Sequence, residues 1–175
     1  LACAAVLAGC NPVSDSNRSA VLLEASFEAS SGAGVVGIFS DVVNDDLTTS
    51  DDFFNLSVVS IVKSVSVTPV SPLYTVEFEG VQIQFSRTDG RNEPGVDVPF
   101  PLRYAIGGSV APSGSTDVNL LVVSKEMKVQ APLRNLWFGE GQRIFATVTA
   151  TLFGHDRVEN QVQTTASAVV VFGDL

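Results

Sequence analysis

The sequence predicts an all-β protein, an antiparallel β-sandwich of about eight strands after an N-terminal signal segment. Three observations carry that expectation. Apolar residues recur with a period of two along most of the chain, which is the period of a half-buried strand. Gly, Pro, Asn and Asp gather between those runs, where turns need them. No stretch carries the three-and-four spacing of an amphipathic helix. With no internal repeat, the 175 residues read as one β domain over positions 20–175. A Greek-key barrel is the alternative closure of the same strands.

The chain begins LACAAVLAGCNP, an apolar run too short to span a bilayer. Leu7, Ala8, Gly9 and Cys10 at its end resemble the lipobox of bacterial lipoproteins. The resemblance implies that residues 1–9 are the C-terminal part of a signal peptide and that Cys10 carries lipid. Residues 10–19 then form the lipidated cysteine and a polar tether, and the partner there is a membrane. Each buried lipid methylene is worth about 0.8 kcal/mol, so two or more acyl chains hold a protein stably. Asn11 is not the aspartate that retains lipoproteins in the inner membrane of enteric bacteria, so the resemblance favours the outer membrane. The other reading makes Cys3 and Cys10 buried thiols of a helix, which Asn11-Pro12 would end at once.

Along the mature chain, Val21, Leu23, Ala25 and Phe27 alternate with polar residues and predict the first strand. In FFNLSVVSIVKSVSV the apolar positions change parity at Val59, and in YTVEFEGVQIQF they change at Gly80, so a bulge or bend is expected in each. VNLLVV, residues 118–123, is apolar on nearly both faces and predicts a central strand continuing toward Val129. In IFATVTATLF and QVQTTASAVVVF the even positions are apolar, which predicts a final hairpin across GHDRVENQ.

That hairpin resembles the last hairpin of bacterial immunoglobulin-like modules, with Asp156 and Asn160 at matching positions. Val158 and Glu159 stand where alanine and glycine are usual. The resemblance implies an immunoglobulin-like sandwich and no particular activity. More loosely, RTDGRNEPGVDVP, QAPLRNL and FGHD resemble segments of uncharacterised bacterial lipoproteins.

A net charge of −9 disfavours nucleic acid as a partner. His155, the one histidine, stands beside Asp156 in the expected hairpin loop, where a solvated turn histidine outweighs a base with its orienting acid. One histidine and an acylated cysteine make no zinc site. Asp41, Asp45, Asp46, Asp51 and Asp52 could supply oxygens to calcium, though their spacing is not that of an EF-hand and a solvated turn also explains them. Trp137, in NLWFGEG, is either a surface aromatic contact for a sugar or a core plug. In SRTDGRNEPGVDVPF, residues 86–100, Arg87, Asp89, Arg91 and Asp97 make either a recognition loop or a structural one. The deciding feature is whether Arg87 is paired with Asp89 or Asp97. Val96, Val98 and Phe100 are expected to resume strand alternation beyond it.

The function expected is that of a non-enzymatic cell-envelope lipoprotein, recruiting or bracing a protein partner, with no resident cofactor unless calcium. A calcium- or carbohydrate-dependent adhesion module is the alternative.

Overall fold

The structure, a computed structural model, describes residues 18–28, 30–32, 35–63, 71–139 and 142–174. Residues 1–17, which include the expected signal segment, Cys10 and most of the expected tether, lie outside the described residues. β1 (Val21–Phe27), β4 (Asp52–Val62) and β8 (Ser115–Val123) form one antiparallel sheet with β4 in the middle. The second sheet contains, in spatial order, β2 (Ser30–Gly32), β3 (Val35–Asp41), β10 (Gln161–Gly173), β9 (Arg143–Asp156), β5 (Val76–Ser86) and β6 (Leu102–Ala105). The short β7 (Ser109–Val110) pairs with the start of β5.

This is the expected all-β sandwich, with one departure from an all-antiparallel arrangement. β3 runs parallel to β10, with Ile38 opposite Val170, so the chain leaves β1 in one sheet and enters the other at its far side. The two inner faces bury Leu23, Leu56, Val58 and Leu120 against Ile83, Val148, Leu152 and Phe172 in one cluster. Burial of that apolar area is the main force holding the sheets together.

The final hairpin forms as its alternation predicts. β9 and β10 pair from His155 opposite Gln161 to Arg143 opposite Gly173. On the outer face Thr149 and Ser167 hydroxyls lie 3.1 Å apart and those of Thr151 and Thr165 3.4 Å apart, cross-strand pairs that each add a few tenths of a kcal/mol, about 0.2–1.

The parity change in β5 is a bulge, since Phe78 faces Gly154 while Gly80 faces Phe153, leaving Glu79 as the extra residue. Gly80 does not use a positive φ there; a Cβ on it would stand 3.2 Å from the Tyr104 carbonyl oxygen. The tighter requirement falls on Gly154 across the bulge, where a Cβ would stand 2.3 Å from the Glu77 carbonyl oxygen.

Two expectations are corrected. β4 keeps its phase: Ser60 is buried, while Val59 and Ile61 are exposed at 40% and 39%. Unbroken pairing with β1, from Val21 opposite Val62 to Phe27 opposite Leu56, leaves no room for an extra residue, and the irregularity falls between Asp52 and Phe53 instead. β8 is an edge strand of a three-stranded sheet, and it stops at Val123. Ser124 accepts the Met127 N–H at 3.3 Å and starts a single helical turn, α1 (Lys125–Lys128), which carries the chain under the sandwich. Val122 and Val123 are both buried because the chain turns under the core there, and a covering layer on each side is not needed.

The open strand edges are partly closed by side chains. The Tyr104 hydroxyl of β6 donates to the Leu121 carbonyl of β8 at 3.0 Å, and burial pushes the phenol up to about 12. The Thr164 hydroxyl of β10 donates to the Leu23 carbonyl of β1 at 3.0 Å. Both bonds join one sheet to the other and occupy acceptors that an added strand would use.

Candidate functional site

The segment between β8 and β9 is fixed by two acids at the start of β4. Asp51 accepts the Lys125 N–H at 2.7 Å, which satisfies one free donor of the first turn of α1. Asp52 accepts from Lys128 Nζ at 2.8 Å through one oxygen and from the Ser40 hydroxyl at 2.6 Å through the other. The Lys128 side chain is 1% exposed, so its ammonium has exchanged water for this carboxylate. The Lys128 carbonyl in turn accepts the Trp137 indole N–H at 3.1 Å.

Trp137 is therefore tied at its edge, and the Arg134 guanidinium covers one face, 3.6 Å from the ring centroid. The ring is half-buried. Its neighbour Phe138 stands out, 67% exposed with a backbone φ of 60°, set edge-on to the indole at 6.3 Å between centroids. A bulky residue in the left-handed region is costly, and such positions persist where the surroundings hold them.

The 86–100 loop answers the question its sequence poses. Arg87 donates to both carboxylate oxygens of Asp89, through Nε at 3.1 Å and through Nη2. The Arg87 hydrogen bond, followed by the Arg91 N–H, holds Asp89 below the ordinary carboxylate range. Asp97 pairs with Arg91, with Nε and Nη2 both 3.0 Å from Oδ1. Arg87 is paired, so the loop is built on its own ions. Strand alternation does not resume at 96–100: Val98 is 1% exposed while Val96 and Phe100 are 57% and 50% exposed. The reason is the turn 94–98, where Gly95 adopts φ 78° under the Phe100 ring and its N–H bonds the Val98 carbonyl at 2.7 Å.

Pairing inside the loop leaves its outer wall facing the start of β9. A groove of about 370 Å³ lies between them, lined by Arg87, Arg91 and Asp97 on one side and by Asn135, Gln142 and Arg143 on the other. Arg143 is exposed and, among the described residues, has no carboxylate partner.

The five acids considered for calcium are spread over several tasks. Asp46 accepts from the Thr48 N–H and hydroxyl, which keep its carboxyl below the usual value. Asp51 and Asp52 hold α1 as described, Asp45 is exposed, and Asp41 ends β3. Among the described residues no group of three His, Cys, Asp or Glu is placed to hold a metal ion.

His155 lies on β9, not in a loop, with Nδ1 3.1 Å from Glu79 on the outer face. Asp156 is 0% exposed and faces the other way. The strand pleat thus separates the pair that adjacency in sequence suggested. Asp156 Oδ1 accepts the N–H groups of Val158 and Asn160 at 3.1 and 2.9 Å, and both of its oxygens accept from the Asn160 side chain. Burial alone would raise this carboxyl; donors from Asn160, Ser19 and Val158 outweigh it and hold the group below the usual carboxylate value.

Phe138 stands exposed beside Trp137, as NLWFGEG allowed, whereas Lys128 and Arg143 escaped the sequence reading. Lys128 lay within an expected strand continuation, and Arg143 was only the residue before an alternating run. A charged residue at the head of a strand marks nothing until the opposing loop is in place.

No protein-family profile matches this chain, and no curated protein sequence matches it significantly. Among the described residues no helix is long and apolar enough to cross a membrane.

Proposed function

We propose that the protein is a non-enzymatic lipoprotein of the cell envelope, held through Cys10 at the outer membrane, whose β-sandwich binds a protein partner. The observation that carries the reading is Phe138, a large aromatic side chain 67% exposed and held in a backbone conformation that only its surroundings maintain. Exposed aromatics on a rigid support are the usual centres of protein interfaces. The lipobox residues supply the anchoring part of the proposal.

The polarity of the molecule supports the same reading. Ser19, at the head of the domain, hydrogen-bonds Asp156 at one end of β9, while Arg143 begins the strand at the other end. Fourteen residues of strand span about 45 Å, so a domain tethered at its N-terminus would present the Phe138 end away from the lipid.

Two experiments test this. Radiolabelled palmitate is expected to enter the full-length protein and to be lost on Cys10→Ala. A photo-crosslinking amino acid at position 138 in cells is expected to capture one discrete protein, and the same group at Glu159 to capture none. Equal capture from both positions would remove the interface.

A further inference from the structure

We propose that the groove between the 87–97 loop and the start of β9 is a carboxylate-binding site, with Arg143 as the residue that receives the carboxylate. The occupant is an acidic segment of a protein partner, so the proposal rests on the partner-binding reading and names its chemistry.

A guanidinium offers five N–H donors in a planar fork that matches a carboxylate. The groove holds three guanidinia. Two are already engaged: Arg87 by Asp89 and Arg91 by Asp97. These pairs fix the wall of the groove, so little ordering remains when a ligand enters. Arg143 faces that wall from β9 with its fork unused among the described residues.

The charge balance points the same way. Of the ten basic residues in a chain of net charge −9, three line this one groove. Among the described residues Asp89 and Asp97 stand against Arg87, Arg91 and Arg143, leaving +1 at the site. That is enough for one carboxylate. A dianionic phosphate would be opposed by Asp97, which faces the same space. The amides of Asn135 and Gln142 can bond a peptide main chain, and the exposed Val96 offers an apolar contact beside them.

The test is a titration of the ¹⁵N-labelled protein, followed at the arginine Nε–H resonances, with acetyl-tetraglutamate amide, its glutamine counterpart and inorganic phosphate. The Arg143 resonance is expected to shift saturably with the glutamate peptide alone, and binding to weaken as salt is raised. Arg143→Gln is expected to weaken binding about tenfold, the loss of one charge-assisted pair. Arg103→Gln, which removes the guanidinium stacked on Phe153, is expected to leave binding unchanged. Equal shifts at Arg103 and Arg143, unaltered binding by Arg143→Gln, or a phosphate response as strong as the peptide's would each overturn the proposal. Failure here with position 138 still capturing a partner removes the groove alone and leaves the interface standing.

Discussion

The two ends of β9 bury charge in opposite ways. At the Asp156 end a fully buried carboxylate is satisfied by uncharged donors, nearly all from the four residues that follow it. At the Arg143 end a buried ammonium, Lys128, is neutralised by Asp52, 76 positions away, with Ser40 completing the set. The first arrangement is a turn that can form by itself. The second exists only when β3, β4 and α1 have come together, and it fixes the segment that carries Trp137 and Phe138. A local device therefore closes the Asp156 end, and a long-range ion pair positions the end proposed to bind.

The largest effect is expected from breaking the long-range device. Asp52→Ala leaves Lys128 buried without a counterion and should cost about 3–5 kcal/mol in urea unfolding. Replacing both partners by apolar residues, Asp52→Leu with Lys128→Met, should recover most of that loss. If the single and double variants were equally unstable, the ion pair would not be the cause.

Asp156→Ala should cost less, about 2–3 kcal/mol, because the orphaned donors of Val158 and Asn160 lie near the surface of a turn where water can reach them. Its pH dependence has a definite sign. A folded carboxyl held below its unfolded value of about 3.9 contributes fully above that pH and loses its contribution as the pH falls through the lower folded value. The stability gap between wild type and Asp156→Ala should therefore be constant near neutrality and shrink below about pH 4. A gap that stays constant in acid would contradict the assignment.

The smallest effect concerns Glu159, which adopts φ 65°, in the left-handed region that favours glycine. Glu159→Gly should raise stability by up to about 1 kcal/mol, since glycine pays no Cβ penalty in the left-handed region. Thermal unfolding would show a higher midpoint if the turn is otherwise unchanged.

How much of this was legible in the sequence follows the same division. Strand alternation fixed the faces of β1, β5, β9 and β10, because a period of two needs no knowledge of partners. The bulge at Glu79 was legible from a parity change beside Gly80, whereas the same signal at Val59 misled. Apolar residues on the solvent face of β4 imitate a shift of phase, and only the pairing with β1 distinguishes the two. The 86–100 loop showed which ions were present; which arginine took which aspartate required the fold of the turn at Gly95.

By itself the sequence determined the class of fold, the final hairpin and its Asp156–Asn160 turn, since each depends on residues within a few positions of one another. Tertiary structure alone decided that β3 lies parallel to β10, that β8 is an edge, that Lys128 meets Asp52 and that Arg143 faces the loop. Those features join segments separated by tens of residues, and no local pattern encodes a partner that only the packing of two sheets brings near.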